Sequence, residues 1–95
     1  MNLRIQLNLV LLIVSPFNGG MGDIPADWTI RSPEQAIAIA NDVCREGLTA
    51  HPEPWQVRLK KHTWEVWRWN EKTGSLNVWV DAISGHTLGC VVEPK

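Results

Sequence analysis

The chain has 95 residues, with nine Lys and Arg against ten Asp and Glu, so its formal net charge is −1 at neutral pH. A hydrophobic fraction of 44% and a charged fraction of 20% are ordinary for a globular protein and exclude a disordered or fibrous chain. The length excludes a multidomain enzyme, and the balanced charge argues against a general nucleic-acid or membrane-surface binder. The aromatic composition is unusual, because the chain has six Trp, one Phe and no Tyr.

The first residues have the order of a secretory signal peptide. Arg4 supplies a positive charge, an apolar run follows at residues 7–14, and small residues lead up to Gly22. The apolar run is well short of the about 20 residues that a membrane-spanning helix needs. We therefore expect an exported chain with no stable membrane span after processing. A buried strand or helix is the alternative interpretation of the same run.

The leader divides the chain into three parts: residues 1–22 are predicted to be a signal peptide, 23–31 an N-terminal extension and 32–95 the folded domain. Loss of the leader removes the only Phe, so all aromatic residues of the remaining chain are Trp. An exported chain works in the periplasm or is secreted, where disulfides persist. Cys44 and Cys90 are then a candidate disulfide that would stabilise a small core. Two buried thiols are the alternative.

Strong helix-start signals surround Ser32. Ser32 and Gln35 have the spacing of a capping box, and Pro33 suits the first helical position. Apolar residues then recur every three or four positions: Ala36, Ile37, Ala40, Val43 and Cys44. The pattern predicts a helix over residues 33–46 that has Cys44 on its buried side. Gly47 is predicted to end it in a left-handed conformation.

Beyond the loop at residues 51–54, the hydrophobic period changes from about 3.6 to 2, which predicts antiparallel strands. Four strands are expected, at residues 55–60, 64–69, 76–81 and 88–93. In the last of them Leu88, Cys90 and Val92 share a face that is predicted to turn towards the helix. The predicted fold class is α+β, with one N-terminal helix packed on one face of an antiparallel meander of three to four strands.

The reversal after the third predicted strand has the residues of a tight turn. Asp81 can accept hydrogen bonds from groups two or three residues further on, and Gly85 can adopt a left-handed conformation. This chemistry predicts a structural role for Asp81 and Gly85 and argues against a catalytic one.

Two segments resemble motifs of the PepSY domain family: SPEQAIAIA, which begins at Ser32, and VDAISG, which begins at Val80. The resemblance covers about residues 32–93, and the departures are the Trp enrichment, the two cysteines and the loop at residues 51–54. It implies an exported α+β domain that restrains or regulates peptidases outside the cytoplasm. Small immunity proteins with a nuclear-transport-factor-like fold are similar in outline and remain an alternative.

Catalytic and metal-binding motifs are absent from the sequence. The three His residues, His51, His62 and His86, do not have the spacing of metal ligands, so we expect neither a metal nor another cofactor. A nucleophilic role for Cys44 is opposed by its predicted burial. Basic and aromatic residues mix between Arg58 and Trp69, but the slightly acidic charge argues against nucleic acid. We expect a binding module and no enzyme.

Strand alternation divides the tryptophans between two faces. Trp55 and Trp64 are predicted to lie in the core, whereas Trp67, Trp69 and Trp79 are predicted to lie on the opposite face of the sheet. Such rings either stabilise a hairpin through cross-strand pairs or bind a partner. We expect a protein partner and a monomer or weak homodimer, and the PepSY resemblance implies a peptidase as that partner. A carbohydrate-binding surface is the alternative.

Overall fold

The structure is a computed structural model that describes residues 24–95. The predicted signal peptide lies outside the described residues. Within them, one α-helix precedes a four-stranded antiparallel sheet, so the fold class is α+β. The elements are α1 (Pro33–Val43), β1 (Gln56–Lys60), β2 (Thr63–Asn70), β3 (Gly74–Asp81) and β4 (Val91–Glu93).

Helix α1 begins as its sequence predicts. The Ser32 hydroxyl accepts from the Gln35 backbone, and the Gln35 side chain accepts from the backbone of Ser32, which confirms the capping box. The helix ends at Val43, three residues before the predicted end, and a 3-10 turn follows at Arg45–Gly47.

The prediction that Gly47 ends the helix in a left-handed conformation is wrong. Gly47 lies within the 3-10 turn and is not among the residues with positive φ. A Cβ atom at this position would lie 3.1 Å from Cδ2 of Leu76. The absence of a side chain at Gly47 therefore allows the turn to pack closely on Leu76, a core residue of β3. The need for glycine at this position comes from a contact with a distant part of the chain.

The sheet is a simple meander with strand order β1-β2-β3-β4. The longest pairing joins β2 and β3, from Thr63 opposite Asp81 to Asn70 opposite Gly74. A two-residue turn joins β1 to β2, and Lys61 adopts a φ of 59° there. The helix packs on β1 and β2. The sheet face towards the helix is called the inner face, and the opposite side is called the outer face.

One hydrophobic core lies between α1 and the inner face. From the helix and the residue that caps its end it takes Ala36, Ile37, Ala40 and Cys44, all of which are buried. From the strands it takes the alternate residues that period-2 patterning requires: Val57, Trp64, Val66, Leu76, Val78 and Val80. In α1, β1, β2 and β3 the polarity pattern therefore predicts which side faces inward.

The segment at residues 24–31 is part of this packing, although the sequence suggested an extension outside the domain. Ile30 is 7% exposed, and its backbone N–H donates to the carbonyl of Ala82 at 2.9 Å. The carbonyl of Ile30 accepts from the indole N–H of Trp64 at 2.8 Å. The segment therefore closes the end of the core near the turn after β3.

The C-terminal segment corrects one prediction. The strand predicted at residues 88–93 is formed only at Val91–Glu93. Leu88 is predicted to face the helix, but the residue is 92% exposed. The cause is Gly89, which has a φ of 102° and donates to the Thr87 hydroxyl, so the chain turns and the period-2 alternation is lost. Val92 pairs with Leu76 but remains 57% exposed at the sheet edge.

None of the helices within residues 24–95 has the length and apolar character that a membrane crossing requires.

Candidate functional site

The side chains of Trp55 and Trp64 are buried in the core, and both indole N–H groups are hydrogen-bonded there. Trp64 and Trp55 are 0% and 2% exposed. The indole N–H of Trp64 donates to Ile30, and that of Trp55 donates to the side-chain oxygen of Asn41 at 2.7 Å. Burial of one such ring stabilises the fold by roughly 4–6 kcal/mol in transfer free energy, before entropy is subtracted. Both side chains therefore stabilise the fold and are not exposed for binding a partner.

The other three strand tryptophans lie on the outer face, as the alternation predicts. Trp69 is 59% exposed, Trp79 is 44% exposed and Trp67 is half-buried. Within residues 24–95, no hydrogen bond involves the indole N–H of any of the three, unlike those of the core rings. Each therefore offers both an apolar ring and an available donor at the surface.

The β2–β3 register brings two of these rings together. Trp67 lies opposite Asn77, and Trp79 lies opposite Glu65, so Trp67 and Trp79 are diagonal neighbours across adjacent strands. Trp69 lies opposite Ser75, two residues beyond Trp67 on β2 and on the same face. The aromatic surface thus runs along the middle of the sheet.

A shallow depression of about 270 Å³ lies on the outer face beside these rings. We call it the outer-face depression, and its lining residues are Arg58, Glu65, Val66, Trp67, Asn77 and Trp79. Two aromatic rings and three planar polar side chains therefore meet at one place on the outer face.

Arg58 and Glu65 form the charged part of the depression. The Arg58 Nε donates to Glu65 Oε1 at 2.6 Å, and the guanidinium carbon lies 5.5 Å from the ring centre of Trp67. The Glu65 side chain is only 18% exposed. Cation–π contact and ion pair together hold the guanidinium beside the ring, so the depression has no net formal charge.

A disulfide joins Cys44 and Cys90, with 5.1 Å between their Cα atoms. The bond confirms the predicted pairing and ties the end of α1 to the segment before β4. Because the sulfur of Cys44 is bonded, it is not available as a nucleophile. The disulfide lines a second depression of about 320 Å³, together with residues 42–47 and Val92.

The turn after β3 brings a hydroxyl, a carboxylate and an imidazole together. Asp81 accepts from the hydroxyl and backbone N–H of Ser84, both at 2.8 Å, and lies 3.1 Å from Nδ1 of His62. Gly85 closes the turn with a φ of 83°. Hydrogen bonds from the Ser84 side chain and backbone, with a smaller contribution from His62, hold the pKa of Asp81 below its ordinary value of 3.8.

This cluster does not have the geometry of a catalytic triad. In a triad, the serine hydroxyl is hydrogen-bonded to the imidazole, which takes its proton. Here the Ser84 hydroxyl donates to Asp81, and Asp81 stands between Ser84 and His62. The arrangement organises a turn, and the imidazole of His62 is not placed to take the Ser84 proton.

A polar cluster at the opposite end of β2 was missed by the sequence analysis. The guanidinium of Arg68 stacks 4.3 Å above the ring of Trp55 and donates to the backbone carbonyl of His51. Asn70 donates to Glu53. Burial lowers the pKa of Arg68, and the charge of Glu53 opposes this effect. The cluster fastens the loop at residues 51–54 to the sheet.

The three histidines are not brought together in a metal site. In the part of the chain that the structure describes, no group of three or more His, Cys, Asp or Glu side chains is arranged to hold a metal ion. His51 is buried and lies 3.3 Å from the hydroxyl of Thr73, whereas His62 pairs with Asp81.

The fold and these sites define a small disulfide-bonded α+β domain with an aromatic outer sheet face. Comparison of the chain with known protein families, characterised proteins and solved structures gives no match. The resemblance to PepSY domains therefore rests on the two sequence motifs, and the outer face is interpreted from its own chemistry.

Proposed function

We propose that this chain is an exported, non-enzymatic binding module that holds a protein partner on the outer face of its sheet. The observation that carries the proposal is the contrast among its tryptophans. Trp55 and Trp64 are buried with their N–H groups bonded, whereas Trp69 and Trp79 are exposed beside a half-buried Trp67. Exposed Trp is enriched among the residues that dominate binding energy at protein interfaces.

Export is supported by the leader-like residues 1–22 and by the disulfide. Disulfides persist in the periplasm and outside the cell and are rare in the cytoplasm. The proposal that the partner is a peptidase is supported only by the resemblance to PepSY domains. Binding without catalysis is supported by the Ser84–Asp81–His62 arrangement, in which the serine hydroxyl donates to the carboxylate of the turn and not to the imidazole.

Carbohydrate binding is a second candidate, and one observation favours it. The outer-face depression combines two indole rings with the planar polar side chains of Arg58, Glu65 and Asn77. Rings of this kind stack on the apolar side of a sugar, and planar polar groups hydrogen-bond to its hydroxyls. Titration with oligosaccharides, monitored by Trp emission, tests this candidate.

The test of the proposal is capture of a partner from periplasmic or secreted extract by the full chain carrying Trp67→Ala and Trp79→Ala. Loss of one interface tryptophan of this kind costs about 2 kcal/mol or more, so we expect recovery to fall at least about tenfold. The matched control carries Ile83→Ala and Leu88→Ala, which remove exposed apolar side chains of 48% and 92% exposure elsewhere.

The control is expected to recover the partner as the wild type does. Circular dichroism of both variants establishes that the fold is intact. Equal recovery by a folded Trp67→Ala, Trp79→Ala variant would contradict a docking role for the outer face.

A further inference from the structure

Building on the proposed function, we infer that the outer-face depression receives an uncharged, proline-containing extended segment of the partner, with a proline ring packed against Trp67 and Trp79. Three features of the depression point to this ligand: two aromatic rings on one face, hydrogen-bond donors around them, and an ion pair already in place.

The two rings form an apolar surface on which one ring of a ligand can pack. Trp67 and Trp79 are diagonal neighbours on adjacent strands, and side chains at such positions stand roughly perpendicular to the sheet within reach of each other. Both rings line the outer-face depression. A proline ring of the partner would pack against the two indoles there.

The partial charges at the depression complement a chain of carbonyl groups. Trp67 and Trp79 present indole N–H donors that make no hydrogen bond within the described residues, and the terminal nitrogens of Arg58 are donors as well. Polyproline segments offer solvated backbone carbonyls and no N–H at proline. Such segments dock in aromatic-lined grooves in other proteins because the extended helix loses little entropy on binding.

The charges at the depression disfavour a charged ligand. The guanidinium of Arg58 already occupies the cation position beside Trp67, so a ligand cation would have to displace it. The carboxylate of Glu65 is engaged by the same guanidinium at 2.6 Å. A saccharide hydroxyl both donates and accepts, so it does not require a site made of donors, whereas the backbone carbonyls of a proline segment only accept. An uncharged segment that brings acceptors fits better.

The experiment follows the six indole N–H signals of the ¹⁵N-labelled full chain by NMR, each assigned with a single Trp→Phe variant. The probe is acetylated, amidated deca-proline at up to millimolar concentration. We expect it to shift the signals of Trp67 and Trp79 and to leave those of Trp55 and Trp64 in place, because the core N–H groups are already bonded.

Two controls sharpen the result. A soluble alanine-rich peptide of equal length should cause no shift, and Trp79→Ala should weaken deca-proline binding at least tenfold whereas Ile83→Ala should not. Absence of shifts with deca-proline, or equal shifts with the alanine-rich peptide, overturns the inference. Shifts of the same signals by gluco- or chito-oligosaccharides in place of deca-proline overturn it in favour of carbohydrate.

Competition separates this inference from the proposed function. If partner capture depends on Trp67 and Trp79 and deca-proline competes with it, both stand. If capture depends on these residues but deca-proline does not compete, the docking surface stands and the proline-segment inference fails. If capture is independent of both residues, both fail.

Discussion

Asp81 shows how one side chain organises a reversal of the chain. Its carboxylate accepts two hydrogen bonds from Ser84 and faces His62, and these contacts lower its pKa below 3.8. A carboxyl whose pKa is lower in the folded than in the unfolded state stabilises the fold above its unfolded pKa. That stability is lost as the pH falls through the folded pKa.

We therefore expect Asp81→Asn to lower the free energy of unfolding at pH 7. The difference from the wild type should shrink as the pH falls below about 4, where the unfolded wild type is protonated at this position. Urea denaturation at a series of pH values measures it, and Glu71→Gln on an exposed turn serves as the control. A difference that stays constant down to pH 2 would show that the charge of Asp81 is not the cause.

Residue-level chemistry also explains which predictions from sequence fail. The position of Leu88 depends on the positive φ of Gly89, and period-2 reasoning has no information about that angle. The role of Gly47 depends on its approach to Leu76, which comes 29 positions later in the chain and is a tertiary contact. The stacking of Arg68 on Trp55 likewise requires the sheet to exist first.

At the scale of elements, polarity patterns predict the fold well. The helix start, the first three strands and the division of the tryptophans between two faces all follow from local signals, because capping and alternation are short-range rules. The outer-face depression is only partly predictable. Alternation places Trp67 and Trp79 on one face, but the register that makes them diagonal neighbours, with Arg58 beside them, is set by the turns.

The disulfide links the end of α1 to the start of β4, two elements that make few direct contacts with each other. Strand β4 has three exposed residues, and Cys90 joins the segment before it to the end of α1. We expect replacement of both Cys44 and Cys90 by Ser to lower the free energy of unfolding by about 2–4 kcal/mol, because the unfolded chain regains entropy. Urea denaturation measures the loss.

Reduction of the wild type with dithiothreitol should give a similar decrease. The double Ser variant is the control for this treatment, since the reductant should leave its stability unchanged. An unchanged midpoint for the reduced wild type would show that the core alone holds the C-terminal segment.

At the scale of the whole molecule, residues 24–31, the helix and the sheet share one core. We expect Ile30→Ala to lower the free energy of unfolding by about 2–4 kcal/mol, because Ile30 is 7% exposed and its removal leaves a cavity. Ile83→Ala, at 48% exposure, should change it by less than about 0.5 kcal/mol. Equal effects of the two substitutions would place Ile30 outside the cooperative unit.

The Cys44–Cys90 bond also has a mechanical consequence. Strands β1, β2 and β3 lie entirely within the covalent ring that it closes, whereas α1 and β4 lie outside it. A pulling force applied to the two ends of the chain passes from α1 through the sulfur atoms to the C-terminal residues. The covalent backbone of the three strands inside the ring lies off this path, so the face that presents Trp67 and Trp79 is loaded only through non-covalent contacts such as the pairing of β4 with β3.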